Sequence, residues 1–184
     1  MKRNQGPSKV LTLCLVAMFA ALICACTFIS IPLPFGYFHL GDVGMLLGAC
    51  ILGLPAAISA AIGASLADVL MGYTIYAPAT AIIKGLCVVT ACAIMYLTKR
   101  FPDKKAVLLS RLAIAAIASE ILMVTGYLAF EAFALSYGTA ALASVLGNCM
   151  QGICGVIGSI AIYEALELSG AIKFIKKYVR KSEK

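Results

Sequence analysis

The chain has 184 residues, enough for one domain, with 62% apolar residues, 12% charged residues and a formal net charge of +7. Soluble domains run at about 45–50% apolar and about 25% charged, and one of this size still exposes a large share of its surface. A mean hydropathy of +1.01 therefore excludes a soluble enzyme, a nucleic-acid binder and a secreted disulfide scaffold, and makes lipid the solvent.

The first apolar run, 10–31, is long enough for one crossing at about 20 residues. Met1-Lys2-Arg3 before it is a positive start, but the run exceeds the roughly 7–15 residues of a signal-peptide core. Pro32 and Pro34 end the run, because each disfavours helix in the residue before it, and an outer loop follows. The block 42–71 is interrupted by Gly53-Leu54-Pro55. It is predicted as two short helices, 42–53 and 55–71, joined by a tight cytoplasmic turn. Spans at 78–98, 107–135 and 140–169 complete the set.

Lys and Arg sort by side of the membrane. All but Lys84 fall at the N-terminus (Lys2, Arg3, Lys9), in one central segment (Lys99 to Arg111) or at the C-terminus (Lys173 to Lys184). Cytoplasmic segments carry the excess of basic residues, so an even number of spans separates each pair of clusters. The expected fold is all-α: a compact bundle of six transmembrane helices in a single domain, with both termini cytoplasmic.

No catalytic constellation is legible. A single His rules out HExxH, and no G-x-x-x-x-G-K-[ST] phosphate loop occurs. There is no G-x-S-x-G either. The eight Cys form no C-x-x-C and lie in apolar runs, where a free Cys acts as a small hydrophobe. No metal, cofactor or enzymatic activity is expected.

The polar residues inside the spans carry the information, because ionisable groups there are costly. Asp42 opens the second helix, where an acid suits the N-terminus. Asp68 and Glu131 fall near outer ends of spans, and Glu120 is mid-span. Lys84 either pairs with Asp68 or a span-five Glu, or contacts a ligand. His39 lies in the first outer loop as an exposed residue or a ligand. Glu164 and Glu167 approach the inner end of span six as interfacial charges. Aromatics gather at the outer side: Phe35, Tyr37 and Phe38, then Tyr73 and Tyr76, then Tyr127, Phe130, Phe133 and Tyr137. They form an interfacial belt or a stacking lid. Asn148 and Gln151, three apart, share a helical face and bond between helices or to a ligand. The grouping predicts a polar concavity opening outward. Ala17, Ala21 and Ala25 form a small-residue stripe on span one. Ala57, Ala61 and Ser65 form another on span three. Both suit close helix approach, within the bundle or against another subunit.

His39-Leu40-Gly41-Asp42, Ala67-Asp68 with Gly72-Tyr73, Tyr76-Ala77-Pro78 with Ile83-Lys84-Gly85, Met123-Val124-Thr125-Gly126-Tyr127, and Gly147-Asn148 with Gln151-Gly152 together resemble the S components of energy-coupling factor (ECF) transporters. The resemblance spans about 39 to 155 plus the Ala17–Ala21 stripe, and is nearest the hydroxymethylpyrimidine, pyridoxine and riboflavin-type subgroup. It implies a six-helix subunit in a prokaryotic plasma membrane that captures a vitamin from outside. The partners it implies are a membrane coupling subunit, docked on Ala17 and Ala21, and two ATPases. The ligand cavity it implies lies among spans four to six and the outer loops. The absence of Trp departs from thiamine-type members, which stack their ligand on Trp.

The outer polar set of Asp68, Glu131 and Glu120 against Lys84 and His39 is balanced to slightly acidic. A carboxylate ligand would need a cationic excess. A pyridoxine-like or hydroxymethylpyrimidine-like ligand is therefore expected, with riboflavin third. The competing reading is an autonomous proton-coupled secondary transporter using the buried carboxylates.

Overall fold

A computed structural model describes residues 9–33, 36–102 and 104–173. Phe35, the side chain of Tyr37, Asp103 and the basic residues Lys2, Arg3 and 176–184 lie outside the described residues. In chain order the elements are α1 (Lys9–Phe28), β1 (Ser30–Leu33), β2 (Gly36–His39), α2 (Gly41–Leu52), α3 (Ala56–Leu70), α4 (Ala77–Leu97), α5 (Lys105–Ala129) and α6 (Leu142–Leu168). A 3₁₀ turn, Thr98–Arg100, extends α4, a π-helical segment, Phe130–Ala134, extends α5, and a 3₁₀ turn, Gly138–Ala141, leads into α6.

Among the described residues, four helical stretches are long and apolar enough to cross a membrane: Val10–Phe28, Ala77–Arg100, Lys105–Ala134 and Gly138–Leu168. The block 42–71 forms two shorter apolar helices, α2 of 12 residues and α3 of 15. They are about 18 and 22 Å long at 1.5 Å per residue, short of the roughly 30 Å hydrocarbon core. Gly53, with φ 72°, makes the turn between them, a left-handed conformation that glycine adopts without strain.

The helices pack in the sequence α1 on α3, α3 on α4, α4 on α5 and α5 on α6, and α2 closes the bundle by touching α6, α1, α3 and α4. Every residue of α2 except Ala49 and Cys50 is buried, as expected for a helix apolar on all sides. Helix α1 turns Val16, Phe19, Ile23 and Thr27 inward, spaced by three or four so that they share one face. Its approach to α3 is close: a Cβ on Gly63 would lie 2.4 Å from the Ala20 carbonyl oxygen. Gly85 of α4 faces Ala57 and Ala61, so that stripe packs the bundle. Where α4 ends and α5 begins, Arg111 donates to the Met95 carbonyl at 3.0 Å and to Thr98 Oγ1 at 3.1 Å, tying α5 to the end of α4. There Lys105 and Glu164 also form an exposed ion pair at 3.1 Å.

One element departs from the expected loop. Residues after α1 form an antiparallel hairpin with Ser30 opposite His39 and Ile31 opposite Phe38. Proline supplies the physical reason. It ends the helix and biases its predecessor toward extended backbone, and Pro32 is tolerated in an edge strand.

Candidate polar site between α2 and α4–α6

Three polar rungs run from the outer rim of the bundle into its interior. The outermost joins the start of α4, the π-helical segment and the start of α6. Tyr76 Oη donates to Glu131 Oε1 at 3.4 Å, and Ser144 Oγ donates to Glu131 Oε2. Tyr73 packs edge-on to Tyr76 at 6.4 Å, and Tyr76 packs edge-on to Phe130 at 5.6 Å. Burial and the neighbouring Glu131 push the Tyr76 phenol well above its ordinary range, so Tyr76 is a hydrogen-bond donor here. One turn further in, Tyr127 Oη donates to Thr80 Oγ1 at 2.9 Å.

The innermost rung is ionic. Lys84 Nζ donates to Asp42 Oδ1, with both side chains almost fully buried. Gln151 Nε2 donates to Asp42 Oδ2 at 2.6 Å, and Lys84 Nζ lies 5.6 Å from the centre of the Tyr127 ring. The α4 participants, Tyr76, Thr80 and Lys84, are four apart. That spacing stacks them on one helix face and sets the inner rung about 12 Å below the outer one at 1.5 Å per residue. On α6, Ser144, Asn148 and Gln151 repeat the device, with Asn148 half-buried between the bonded ends.

Two expectations are corrected. Lys84 pairs with Asp42, not with Asp68 or a span-five Glu. His39 is buried at 6% exposure rather than an exposed loop residue. It ends β2 facing inward, and its Nδ1 accepts the Gly41 N–H at 3.0 Å, which leaves Nε2 to carry the proton of the neutral ring. Burial pushes its pKa down to about 4, the pull of Asp42 opposing and the charge of Lys84 assisting. Gly41 fits nothing larger, because a Cβ there would lie 2.1 Å from Thr27 Oγ1.

Asp42 is the residue that sequence reasoning placed outside the site. As an acid in a first helical turn it reads as a cap, yet it makes no cap bond: Leu40 is the N-cap and no side chain caps α2. The signal that could have found it is charge balance, since a buried Lys requires a buried acid.

Asp68 is buried at the end of α3, near Tyr127. Tyr137 and Phe133 are exposed, and Tyr137 lies beside Tyr76 at the outermost rung. Glu120 stands beside the innermost rung, within the field of Asp42 and Lys84. It is 5% exposed, and neither carboxylate oxygen has a hydrogen-bond partner among the described residues. It lies along Gly152 and Gly155 of α6, where added Cβ atoms would come within 3.4 Å of its Oε2 and 3.2 Å of its Oε1. Ala17, Ala21 and Ala25 are all exposed on the outer face of α1.

A search of curated proteins returns no match. The profile of the family described as ECF-type riboflavin transporter, S component, matches residues 8–168. With that span covering nearly all of the described bundle, the chain belongs to the S-component family of ECF-type riboflavin transporters.

Proposed function

We propose that this chain captures a single-ring, neutral or weakly basic vitamin or precursor, pyridoxine-like or hydroxymethylpyrimidine-like, from outside a prokaryotic plasma membrane. The observation carrying this is the Asp42–Lys84 pair. Because Asp42 neutralises the one cation of the inner rung, no free positive charge remains for a carboxylate vitamin such as niacin, pantothenate or folate, and desolvating such a ligand would go uncompensated.

In this reading the ligand enters from the outer rung. Tyr73, Tyr76 and Tyr127 stack on or edge its ring, while Glu131, Asp68 and Asn148 hydrogen-bond its substituents. Lys84, Gln151 and His39 form the floor. Rungs sit about 6 Å apart, one helical turn, which suits one ring between two rungs. Riboflavin, named in the matched family, would span all three. The six helices cross with both termini inside, and the exposed Ala17, Ala21 and Ala25 stripe meets the coupling subunit that connects to two ATPases.

Calorimetric titration of the purified chain with pyridoxine, hydroxymethylpyrimidine, riboflavin and niacin tests the ligand. Tightest binding by either single-ring compound supports the assignment; tightest binding by riboflavin or niacin overturns it. Affinity capture from membranes should bring down the coupling subunit and both ATPases. Uptake that follows the proton gradient without them would establish the autonomous-transporter reading instead.

A further inference from the structure

The innermost rung holds two acids and one ammonium. Lys84 Nζ donates to Asp42 Oδ1, and Gln151 Nε2 donates to Asp42 Oδ2. Glu120 lies in the field of both Asp42 and Lys84, but its two oxygens have no hydrogen-bond partner among the described residues. A Cβ on Gly155 would lie 3.0 Å from Asp42 Cβ and 3.2 Å from Glu120 Oε1, which puts those two atoms at most about 6 Å apart. With both acids ionised the rung would carry one negative charge too many, and a buried charge without a partner neutralises instead. Glu120 is 5% exposed and its oxygens have almost no accessible surface. A metal ion or an ammonium ligand cannot reach them, whereas a proton can.

From this geometry we infer that Asp42 and Glu120 share one proton and are alternative seats for the Lys84 ammonium. In the structure the ammonium sits on Asp42 and the proton on Glu120. In the second state their places are exchanged. As it leaves, the ammonium gives a proton to Asp42, breaking an N–H bond and forming an O–H bond. The amine then takes the Glu120 proton, so both states hold the same protons and the same net charge, and no other reactant enters. The flexible four-carbon stem of lysine allows the turn. Helices α4 and α5 stay clipped together in either state: Cys87 Sγ donates to the Ser119 carbonyl at 3.3 Å, and Ser119 Oγ donates to the Cys87 carbonyl at 3.1 Å. What changes is α2. Asp42 is its ionic tie to α4, and in the second state that residue keeps only the Gln151 bond. The other titratable groups facing the two acids are His39 of β2, Cys87 of α4 and Tyr127 of α5. Helix α6 contributes the uncharged Gln151, and α1 and α3 contribute Thr27, Ala60 and Ala64, which do not titrate. The exchange is internal to the bundle and does not depend on which vitamin binds.

The test is infrared difference spectroscopy of the full chain in dodecyl maltoside at neutral pH, reading the C=O band of a protonated carboxyl by its shift in D2O. Glu120→Gln should remove the band of one carboxyl. Asp42→Asn keeps the acceptor for Gln151 and leaves Glu120 as the seat for Lys84. It should remove a band of the same size although Glu120 is intact, and its melting midpoint should fall by about 4 °C or less. Asp42→Asn combined with Glu120→Gln strands the ammonium, and the midpoint should fall by at least about 8 °C more than the two single losses together. Adding Lys84→Met should restore it, which separates a stranded charge from a failed fold. A carboxyl band that survives Asp42→Asn, no band lost in Glu120→Gln, additive midpoint losses in the double variant, or an Asp42→Asn chain that fails to fold overturns the inference.

Discussion

Lys84→Met cuts the innermost rung. Methionine keeps the apolar stem and removes the ammonium, so Asp42 is left buried with Gln151 Nε2 at 2.6 Å as its remaining side-chain partner. Removing one partner of a buried ion pair costs about 3–5 kcal/mol, because the surviving charge is stranded. The Gln151 bond persists in both proteins and cancels. Near 4 kcal/mol, with 2–4 °C per kcal/mol for a chain of this size, the melting midpoint in detergent should fall by about 8–16 °C. Asp42→Asn in the same chain removes the stranded charge and keeps the acceptor for Gln151, so the double variant should recover most of the loss. Asp68→Asn paired with Lys84→Met should recover none. The measurement is thermal unfolding of the three variants beside the native chain. A Lys84→Met midpoint within 2 °C of native, or rescue by Asp68→Asn in place of Asp42→Asn, would refute the pairing and the charge argument built on it.

Gly41→Ala should destabilise by about 1–3 kcal/mol, the usual cost of overpacking, and Thr27→Ala in the same chain should relieve it; denaturant titration of both reads this out. His39 is held neutral with its pKa near 4, below the ordinary value of about 6.5. The stability it contributes is therefore complete above pH 6.5 and lost as pH falls toward 4, up to about 3 kcal/mol. His39→Gln should flatten that part of the stability–pH curve. Ala21→Trp places bulk on the exposed face of α1, and should abolish vitamin uptake by cells while leaving ligand affinity of the purified chain unchanged. A parallel loss of affinity would make the stripe internal packing.

Much of the helix plan was legible because the bilayer reduces the problem to apolar length, proline breaks and the placement of basic residues. The hairpin was not, since two four-residue strands, the first holding Pro32, leave no periodicity to read. In the site, Tyr76, Lys84, Tyr127, Glu131 and Gln151 stand out because polar groups are rare in apolar helices. Their partners do not: Asp42 is over forty residues from Lys84 and over a hundred from Gln151, and helix spacing says nothing about pairs that distant. Glu120 shows the same limit from the other side. Its depth is readable from the chain, but the two α6 glycines it packs against, and the Asp42 side chain beside them, meet it only in the folded bundle.

The hairpin also fixes where water begins. Its sheet has two strands, and the backbone groups along its outer edges have no strand to bond. Hydrocarbon offers those groups nothing, so the hairpin has to sit at a wet level or under protein. Helix α2 starts immediately beneath it and reaches the Gly53 turn in about 18 Å. Along that line the barrier between the two aqueous phases is little more than half as thick as the surrounding bilayer. In the proposed topology, with the hairpin outside, a solute lodged beside Asp42 would have left most of the outer leaflet behind, and what would remain ahead of it is one short helix.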